Sequence, residues 1–353
     1  MVKGGIMTGG SKNEESRREF WQERRDFLKV FGVCGGAVLL SGGRLPVAWA
    51  AGPYPDEKVA WICPLKTGGG YDLTARMIAP HLGKYLKESN KGARGGEVAV
   101  KNVPEGGGRR AYTTLQNAKP DGYTIGDFNP GFIAESMATK SDIDYTKFTY
   151  LVRLGVSIRI IVGPKNGFKS WDEMMKGGKA KEIRWAAASY GQGGHVTSIL
   201  LKEAAKVPAR LVNFPSGSEN VNALLRGDVQ IGTVSEEAAK AMVEAGELIV
   251  LAVLAEASDY PGVPSLTQLG YPELVDPCKI QRLVVGPPAI PGPIRDAIHG
   301  AFKKVFLDKE YLAMAQKLDF TPEPLYGADA ERVAKGIAKY YEEKGAILKK
   351  YLE

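Results

Sequence analysis

Residues 64–72 of the chain read Pro64-Leu65-Lys66-Thr67-Gly68-Gly69-Gly70-Tyr71-Asp72. The stretch follows a short apolar run at residues 59–62, which predicts a buried strand, and it leads into residues 73–87, where apolar side chains recur at helical spacing. Three glycines can leave backbone N–H groups uncovered at the start of this helix, where the helix dipole favours negative charge. The pattern therefore predicts a strand, an anion-binding glycine loop and a helix, with Lys66 adding positive charge and Asp72 capping the helix.

Two other interpretations of the glycine loop have to be weighed. A tight turn that packs a helix against a sheet would explain the three glycines without any ligand. A nucleotide site is disfavoured, because the loop lacks the Gly-Lys-Ser/Thr ending of a Walker A motif, and Leu73 stands where a dinucleotide fingerprint has its third glycine. A turn and a site for a small anion both stay open at this point.

The first 50 residues have the features of an export signal. Residues 23–29, Glu-Arg-Arg-Asp-Phe-Leu-Lys, resemble the twin-arginine motif, and Ala48-Trp49-Ala50 fits an Ala-x-Ala cleavage site. The apolar run between them, residues 30–40, is too short to span a bilayer. We therefore expect a cleaved twin-arginine signal peptide at residues 1–50, with cleavage after Ala50 and export of the folded chain to the periplasm by the twin-arginine machinery.

Composition argues against several classes of protein. Removal of residues 1–50 takes away eight basic and five acidic residues, so that 303 residues remain with 39 basic and 35 acidic side chains. This length suffices for two domains with sizeable cores, and the small, evenly spread positive charge gives no support for nucleic-acid binding. No cluster of His, Cys and carboxylate residues has metal-site spacing, so neither a metal nor another cofactor is expected. Cys63 and Cys278 are interpreted as buried thiols, with a late disulfide left open.

Strands and helices alternate along the remaining chain. The sequence predicts strands at residues 97–102 and 123–128, the latter ending at Asn129, and from residue 150 the pattern restarts with a strand at 183–188. Such alternation predicts α/β units with mostly parallel sheets, whose ligands lie at the carboxyl ends of the strands. A second glycine loop follows the strand at 183–188, so we expect a cleft with one half-site on each of two units.

The candidate ligand-binding residues lie in these loops at the ends of predicted strands. The second loop reads Ser189-Tyr190-Gly191-Gln192-Gly193-Gly194-His195. The full set of candidates is Lys66, Thr67, Gly68, Gly69, Gly70, Tyr71, Asp72, Asn129, Tyr190, Gly191, Gln192, Gly193, His195 and Ser216.

Several segments, in this order, resemble the solute receptors of tripartite tricarboxylate transporters, the Bug family. Two departures from the family pattern leave the identity of the ligand open, Lys66-Thr67 in place of Ala-Pro and Gln192-Gly193 in place of Thr-Pro. The matching segments are residues 64–76 to Pro-Phe-x-x-Gly-Gly-x-x-Asp-x-x-Ala-Arg, 102–108 to Asn-x-Pro-Gly-Ala-Gly-Gly, 120–124 to Pro-Asp-Gly-Tyr-Thr, 191–195 to Gly-Thr-Pro-x-His and 224–229 to Leu-Leu-x-Gly-x-Val.

The resemblance implies a type II periplasmic-binding-protein fold, in which two α/β lobes close on a ligand and the chain crosses between them twice. Crossings are expected near Gly155 and Lys279, so that lobe 1 is residues 51–155 plus 280–353 and lobe 2 is residues 156–279. Family ligands are mostly small carboxylates, held by backbone N–H groups of the two glycine loops. The resemblance therefore implies a monomeric periplasmic receptor that delivers a small carboxylate to integral membrane transporter subunits.

Two other functions stay open. An exported enzyme acting on a small carboxylate is disfavoured, because His195 near Ser189 and Ser198 has no recognisable third catalytic group, and no Gly-x-Ser-x-Gly elbow is present. A helix-start or packing role explains His195 at least as well as ligand contact. The sequence is equally consistent with a receptor that serves a sensor instead of a transporter.

The aromatic residues that border the two loops suggest which carboxylates fit. Tyr71 and Tyr190 are expected to face each other across the ligand, unless both rings pack under their own loops. A second carboxylate of the ligand would need a partner in the closed cleft, and Lys66, Gln192 and Ser216 are the candidates. On this basis aromatic or short-chain mono- and dicarboxylates rank above citrate-like tricarboxylates.

Overall fold

The computed structural model of the protein describes residues 54–318 and 320–352, which form two β-sheets covered by helices. The predicted signal peptide and its cleavage site lie outside the described residues. In chain order the strands are β1 (Val59–Cys63), β2 (Val98–Asn102), β3 (Thr124–Phe128), β4 (Thr149–Ser157), β5 (Arg159–Pro164), β6 (Ile183–Ala187), β7 (Ala209–Asn213), β8 (Ile231–Ser235), β9 (Leu248–Val253), β10 (Ile280–Gly286) and β11 (Pro322–Tyr326).

Helices connect these strands and cover the sheets. The α-helices are α1 (Gly70–Glu88), α2 (Arg109–Asn117), α3 (Gly131–Thr139), α4 (Trp171–Ala180), α5 (Gly193–Ala205), α6 (Gly217–Leu225), α7 (Glu236–Glu244), α8 (Val275–Cys278), α9 (Gly292–Val305), α10 (Lys309–Lys317), α11 (Ala328–Glu343) and α12 (Gly345–Leu352). Within the described ranges, no helix is both long and apolar enough to cross a membrane.

Most strands of each sheet run in one direction. In the first sheet, of order β11-β4-β10-β3-β1-β2, strands β1 to β4 point the same way and β10 and β11 point the opposite way. In the second sheet, of order β7-β6-β8-β5-β9, β5 opposes the other four described strands. The reversed strands β5 and β10 are the ones that begin where the chain crosses between the sheets. The predicted α/β class with mostly parallel sheets is confirmed.

The crossing from the first sheet to the second takes a single residue. Strand β4 ends at Ser157 in the first sheet and β5 begins at Arg159 in the second, so Ile158 alone joins them. The chain returns through Lys279, which follows α8 and precedes β10. Gly155, where the sequence predicted the first crossing, lies inside β4, because pairing with β10 and β11 continues the strand past this point. The exact division of the chain into lobes stays a prediction.

Two lobes are named here by their sheets. Lobe 1 is built on the first sheet and lobe 2 on the second, and each has an apolar core that contains a buried tryptophan. In lobe 1 the rings of Trp61 and Phe302 pack edge to face with centroids 6.1 Å apart. In lobe 2 the indole Nε1 of Trp185 donates to the Thr233 hydroxyl at 2.9 Å. Cys63 and Cys278 are buried free thiols, as predicted.

The C-terminal helix contacts both lobes. Helix α12 packs against α3 of lobe 1 and α5 of lobe 2. On the α5 side, the Lys202 ammonium lies 2.9 Å from the Tyr351 hydroxyl, and Lys350 forms an ion pair with Glu203 at 3.2 Å. The end of the chain that was predicted to belong to lobe 1 therefore also holds lobe 2.

Replacement of Gly126 by alanine should destabilise lobe 1. Gly126 lies opposite Ile62 in the first sheet, and a Cβ there would be 2.6 Å from the Ile62 carbonyl oxygen. That oxygen belongs to a neighbouring backbone and cannot turn aside, so Gly126→Ala should lower the free energy of unfolding by about 1–3 kcal/mol. Urea denaturation followed by circular dichroism measures this change.

Gly300→Ala is the matched control. Gly300 lies in α9, where an added Cβ would meet no described atom within 4 Å. Alanine is the better helix former by about 1 kcal/mol, so this variant should be as stable as the parent protein or more so. Equal losses of stability in the two variants would contradict the steric explanation.

Candidate functional site

A cleft between the lobes lies where four helices begin. The first residues or N-cap positions of α1, α5, α6 and α7 all contribute to it, so four positive helix ends point toward the same space. The residues that matter for its chemistry are Gly69, Gly70, Tyr71, Asn129, Arg159, Gln192, Ser216, Asn220, Ser235 and Arg282. No Asp or Glu side chain is among the described residues that line it.

Asp72 shapes the first glycine loop from inside the helix. Its Oδ2 accepts from the N–H of Gly68 at 3.0 Å, and its Oδ1 accepts from Arg76 and Asn102 at 2.9 and 2.8 Å. Burial alone would raise the pKa of Asp72, but these hydrogen bonds lower it, so the carboxylate is ionised. The predicted N-cap position is wrong: Gly69 is the N-cap of α1, and Asp72 lies in the first turn.

Of the three glycines predicted to bind an anion, only two face the cleft. The N–H of Gly68 already donates to Asp72, and Gly68 is exposed. Gly69 and Gly70 line the cleft at the beginning of α1, where first-turn N–H groups have no acceptor within their own helix.

Lys66 and Thr67 lie at the rim of the cleft instead of lining it. The Lys66 ammonium lies 3.4 Å from Glu219 Oε1 of α6, and the Ser218 hydroxyl donates to the Gly68 carbonyl at 3.2 Å. The Thr67 hydroxyl lies 3.4 Å from Asn102 Oδ1. Lys66, proposed from sequence as an anion contact, thus forms part of a polar link between the two lobes.

The second glycine loop touches lobe 1 directly. The Gln192 amide nitrogen donates to the Gly107 carbonyl oxygen. Gly131, at the start of α3, is so close to the start of α5 that a Cβ on it would lie 2.2 Å from the backbone nitrogen of Gly193. The two lobes are therefore in contact, and the cleft is closed along this edge.

His195 stabilises the second glycine loop by a hydrogen bond to its backbone. It is buried, and its Nδ1 accepts from the Gly191 N–H at 3.1 Å. Burial lowers the pKa of His195 to about 4, so the imidazole is neutral near pH 7. The Ser198 hydroxyl donates to Gly194 and lies 2.7 Å from the Thr233 hydroxyl, and no hydrogen bond joins it to His195 in the described structure. The pair expected of an exported hydrolase is not formed.

The two tyrosines do not face each other. Tyr71 lines the cleft, but its hydroxyl donates to the Gln281 carbonyl at 3.0 Å, which turns the ring along β10. Tyr190 is 45% exposed, and its ring contacts that of His195 in a tilted arrangement, with centroids 5.2 Å apart and an interplanar angle of 38°. Its hydroxyl donates to the Tyr351 carbonyl of α12 at 3.3 Å, and Tyr190 is not among the described residues that line the cleft. The expected aromatic clamp is wrong for this reason.

Three predicted polar residues do line the cleft. Asn129 ends β3, and its Oδ1 accepts from the Gly131 N–H at 2.9 Å. Ser216 caps α6 by accepting from the Glu219 N–H at 3.2 Å. Gln192 is 1% exposed at the N-cap of α5. These residues, with Gly69, Gly70 and Tyr71, are the part of the predicted set that the fold brings together in the cleft.

The most strongly charged groups of the cleft were missed from sequence. Arg159 and Arg282 are the first and third residues of β5 and β10, the strands that begin at the two crossings. Both are buried, with 6% and 2% of their surface exposed. An arginine inside an otherwise apolar strand is the signal that identifies them, because a buried charge requires a partner.

Arg159 has no ion-pair partner among the described residues. Its Nη1 donates to the Cys278 carbonyl, and a Cβ added to Gly193 would lie 2.7 Å from its Nη2, so the guanidinium is pressed against the start of α5. Burial lowers the pKa of Arg159, but a guanidinium stays charged at neutral pH. The cleft therefore contains one buried positive charge that the described part of the protein does not neutralise.

Arg282 is partly neutralised across the lobes. Its Nη2 lies 3.0 Å from Glu237 Oε1 of α7, its Nε donates to the Ser157 hydroxyl at 3.2 Å, and its Nη1 has no hydrogen-bond partner in the described structure. Burial raises the pKa of nearby Asp127 to about 8, so this carboxyl is protonated near pH 7 and does not balance a second charge.

One group of possible metal ligands lies outside the cleft. His81, Asp308 and Glu310 offer atoms within 4.8 Å of one another. The Asp308 carboxylate already caps α10 by accepting from the Glu310 and Tyr311 N–H groups, and it accepts from the Tyr85 hydroxyl at 2.7 Å. Capping of α10 by Asp308 therefore explains this group of side chains without a metal ion.

Comparison with known proteins places the chain among solute receptors. The model of a family described as tripartite tricarboxylate transporter family receptor matches residues 84–352. Protein BugT of Bordetella pertussis is 25% identical over 259 residues, which cover 71% of this chain and 76% of that protein.

Solved structures have the same fold. MatC from Rhodopseudomonas palustris with bound malate superposes with a TM-score of 0.69 and 21% identity, over 85% of this chain and 100% of MatC. An R. palustris protein with adipate gives a TM-score of 0.72 and 19% identity, over 84% of this chain and 98% of that one. The two-lobed periplasmic-binding-protein fold expected from the sequence motifs is confirmed.

Gly131→Ala should prevent the lobes from closing. The added methyl group would overlap the backbone of Gly193, whereas alanine itself favours the helical conformation of α3. We expect a folded protein with an increased radius of gyration in small-angle X-ray scattering. Gly336→Ala in α11, where a Cβ would meet no described atom within 4 Å, should leave the radius unchanged. Identical scattering from both variants would contradict the proposed contact.

Proposed function

The chain belongs to the tripartite tricarboxylate transporter receptor family, and we propose that it captures a small organic carboxylate and delivers it to a membrane transporter of that type. The family consists of periplasmic solute-binding receptors, so the chain is a receptor rather than an enzyme. Delivery to integral membrane subunits, export by the twin-arginine machinery with removal of residues 1–50, and a monomeric state belong to the same proposal.

The observation that carries the proposal is the guanidinium of Arg159, which no described residue neutralises, in a cleft whose described lining residues include no Asp or Glu. A buried charge is costly unless it is paired, and four helix N-termini add positive potential to the same space. A carboxylate supplies the missing negative charge and can accept from both a guanidinium and first-turn N–H groups. The ligands of the two R. palustris proteins, malate and adipate, are small carboxylates and support this class.

The number of available charges supports the ranking of ligands. Arg159 has no ion-pair partner in the described residues, whereas Arg282 shares its charge with Glu237 and Lys66 is linked to Glu219. One carboxylate is thus matched fully and a second one partly, by the unpartnered Nη1 of Arg282. A third carboxylate would be buried without a counter-charge. Mono- and dicarboxylates therefore rank above tricarboxylates.

Arg159→Gln should weaken carboxylate binding at least about tenfold. The variant removes a charge-assisted contact worth about 1.5–3 kcal/mol and leaves a shorter, neutral polar side chain. Isothermal titration with succinate, malate, adipate, benzoate and citrate measures the loss, and citrate should bind most weakly to the parent protein.

Arg184→Gln is the matched control for this substitution. Arg184 is an exposed residue of the otherwise buried strand β6 in the same lobe, and it donates to the Gly227 carbonyl, outside the cleft. Its dissociation constants should equal those of the parent. Unchanged binding in a folded Arg159→Gln protein, with the same melting temperature as the control, would refute the assignment of Arg159.

Gly69→Val tests the predicted anion contact of the first loop. Gly69 has a φ of −83° and ψ of 163°, which valine adopts readily, and a Cβ there would meet its nearest described atom, the Lys66 carbonyl oxygen, only at 3.7 Å. The fold should therefore be kept while the methyl groups block the N–H groups that face the cleft. We expect affinity for succinate or malate to fall at least about tenfold by titration.

Gly292→Val provides the comparison at another helix start. Its nearest neighbour is Arg295 Nη2 at 3.9 Å, on the surface of lobe 1. Binding should not change in this variant. If Gly69→Val also bound normally, the ligand carboxylate would have to lie on other donors.

A further inference from the structure

Two buried carbonyl oxygens in the cleft have no hydrogen-bond partner. Gln192 Oε1 and Asn220 Oδ1 belong to side chains that are each 1% exposed, and both residues line the cleft. Among the described residues no donor reaches either oxygen. Buried acceptors are normally satisfied, so this pair requires donors from outside the described residues, and a ligand in the cleft can supply them in place of ordered water.

The hydrogen bonds of the two amide nitrogens determine how both side-chain amides are oriented. The Gln192 amide nitrogen donates to the Gly107 carbonyl, and the Asn220 amide nitrogen donates to the Thr233 carbonyl at 3.1 Å. A carbonyl oxygen can only accept, so rotating either amide would place two acceptors against each other. The oxygens that remain are therefore true acceptors, and they belong to residues that line a cleft in which the charged groups, Arg159 and Arg282, are donors.

We propose that the ligand is a hydroxycarboxylate, whose carboxylate binds the arginine side of the cleft and whose hydroxyl donates to Gln192 Oε1 or Asn220 Oδ1. This inference rests on the proposed carboxylate function and narrows it. An unsubstituted acid offers oxygens that only accept, and it would leave both amide oxygens unpaired. An amino acid supplies donors too, but its ammonium group adds positive charge to a cleft that contains Arg159 and no acidic side chain among its described lining residues.

The experiment compares pairs of acids that differ in one group. Isothermal titration of the full exported chain is performed with malate, succinate and aspartate, and with lactate, propionate and alanine. A site that hydrogen-bonds a hydroxyl rejects the analogue that lacks it. We expect malate to bind at least tenfold more tightly than succinate, or lactate than propionate, and more tightly than the amino acid of the same set.

Variants of Gln192 and Asn220 test whether their amide oxygens cause the preference for the hydroxylated acid. At least one of the variants Asn220→Leu and Gln192→Leu, the one at the residue that accepts the hydroxyl, should reduce the ratio of dissociation constants between the unsubstituted and hydroxylated acid to threefold or less. Asn222→Leu, the same change at an exposed position of the same helix α6, should keep the parent ratio. Gln192→Leu is the second test, and it serves alone if Asn220→Leu does not fold because the Thr233 carbonyl loses its donor.

The outcomes separate this inference from the proposed function. Failure of every carboxylate to bind would overturn both. Tight binding of succinate or propionate without a preference for the hydroxylated partner would overturn the inference and leave the receptor function in place. Preference for aspartate or alanine would also overturn it. So would a hydroxyl preference that persists in both the Asn220 and the Gln192 variants.

Discussion

The whole arrangement of the cleft depends on the single-residue crossing at Ile158. Because β4 must end and β5 must begin within two residues, the start of β5 is fixed against lobe 1 while the rest of the strand runs into lobe 2. Strand β10 makes the reverse passage beside it. Strands β5 and β10 therefore both start in the interlobe space, where Arg159 and Arg282 are shielded from water by two lobes at once. Neither lobe alone could bury these guanidinium groups to the same degree.

Burial at the crossing also explains why the two arginines have different roles. Arg282 contacts Ser157 and Glu237, and removal of one partner from such a buried pair typically costs about 3–5 kcal/mol. It is thus a structural link between β10 and α7 as well as a wall of the cleft. Among the described residues, the side-chain hydrogen bond given for Arg159 goes to a backbone group, the Cys278 carbonyl. The residue with the fewest protein partners is the one best placed to interact with a ligand.

The sequence predicted the class of fold and the two glycine loops, because strand–loop–helix order depends on local patterns of apolar residues and glycines. Five of the candidates that it named, Gly69, Gly70, Asn129, Gln192 and Ser216, line the cleft. It failed where long-range contacts decide. Tyr190 turns toward Tyr351, which is 161 residues away, and Lys66 turns toward Glu219, 153 residues away. Periodicity does not indicate such partners, nor which strand of a mixed sheet begins at the crossing.

The contacts of helix α12 with the two lobes are expected to respond differently to the ionic strength of the medium. On the α3 side, Leu348 of α12 and Ala134 of α3 are buried in the same hydrophobic core, and Ala138 packs against this core. The contact of α12 with α5 uses the charged groups of Lys202, Glu203 and Lys350. Dissolved ions weaken exposed charge pairs and leave apolar packing intact. When the lobes part, α12 is thus expected to stay with lobe 1, and the ionic strength of the medium then sets part of the cost of opening at a distance from the cleft.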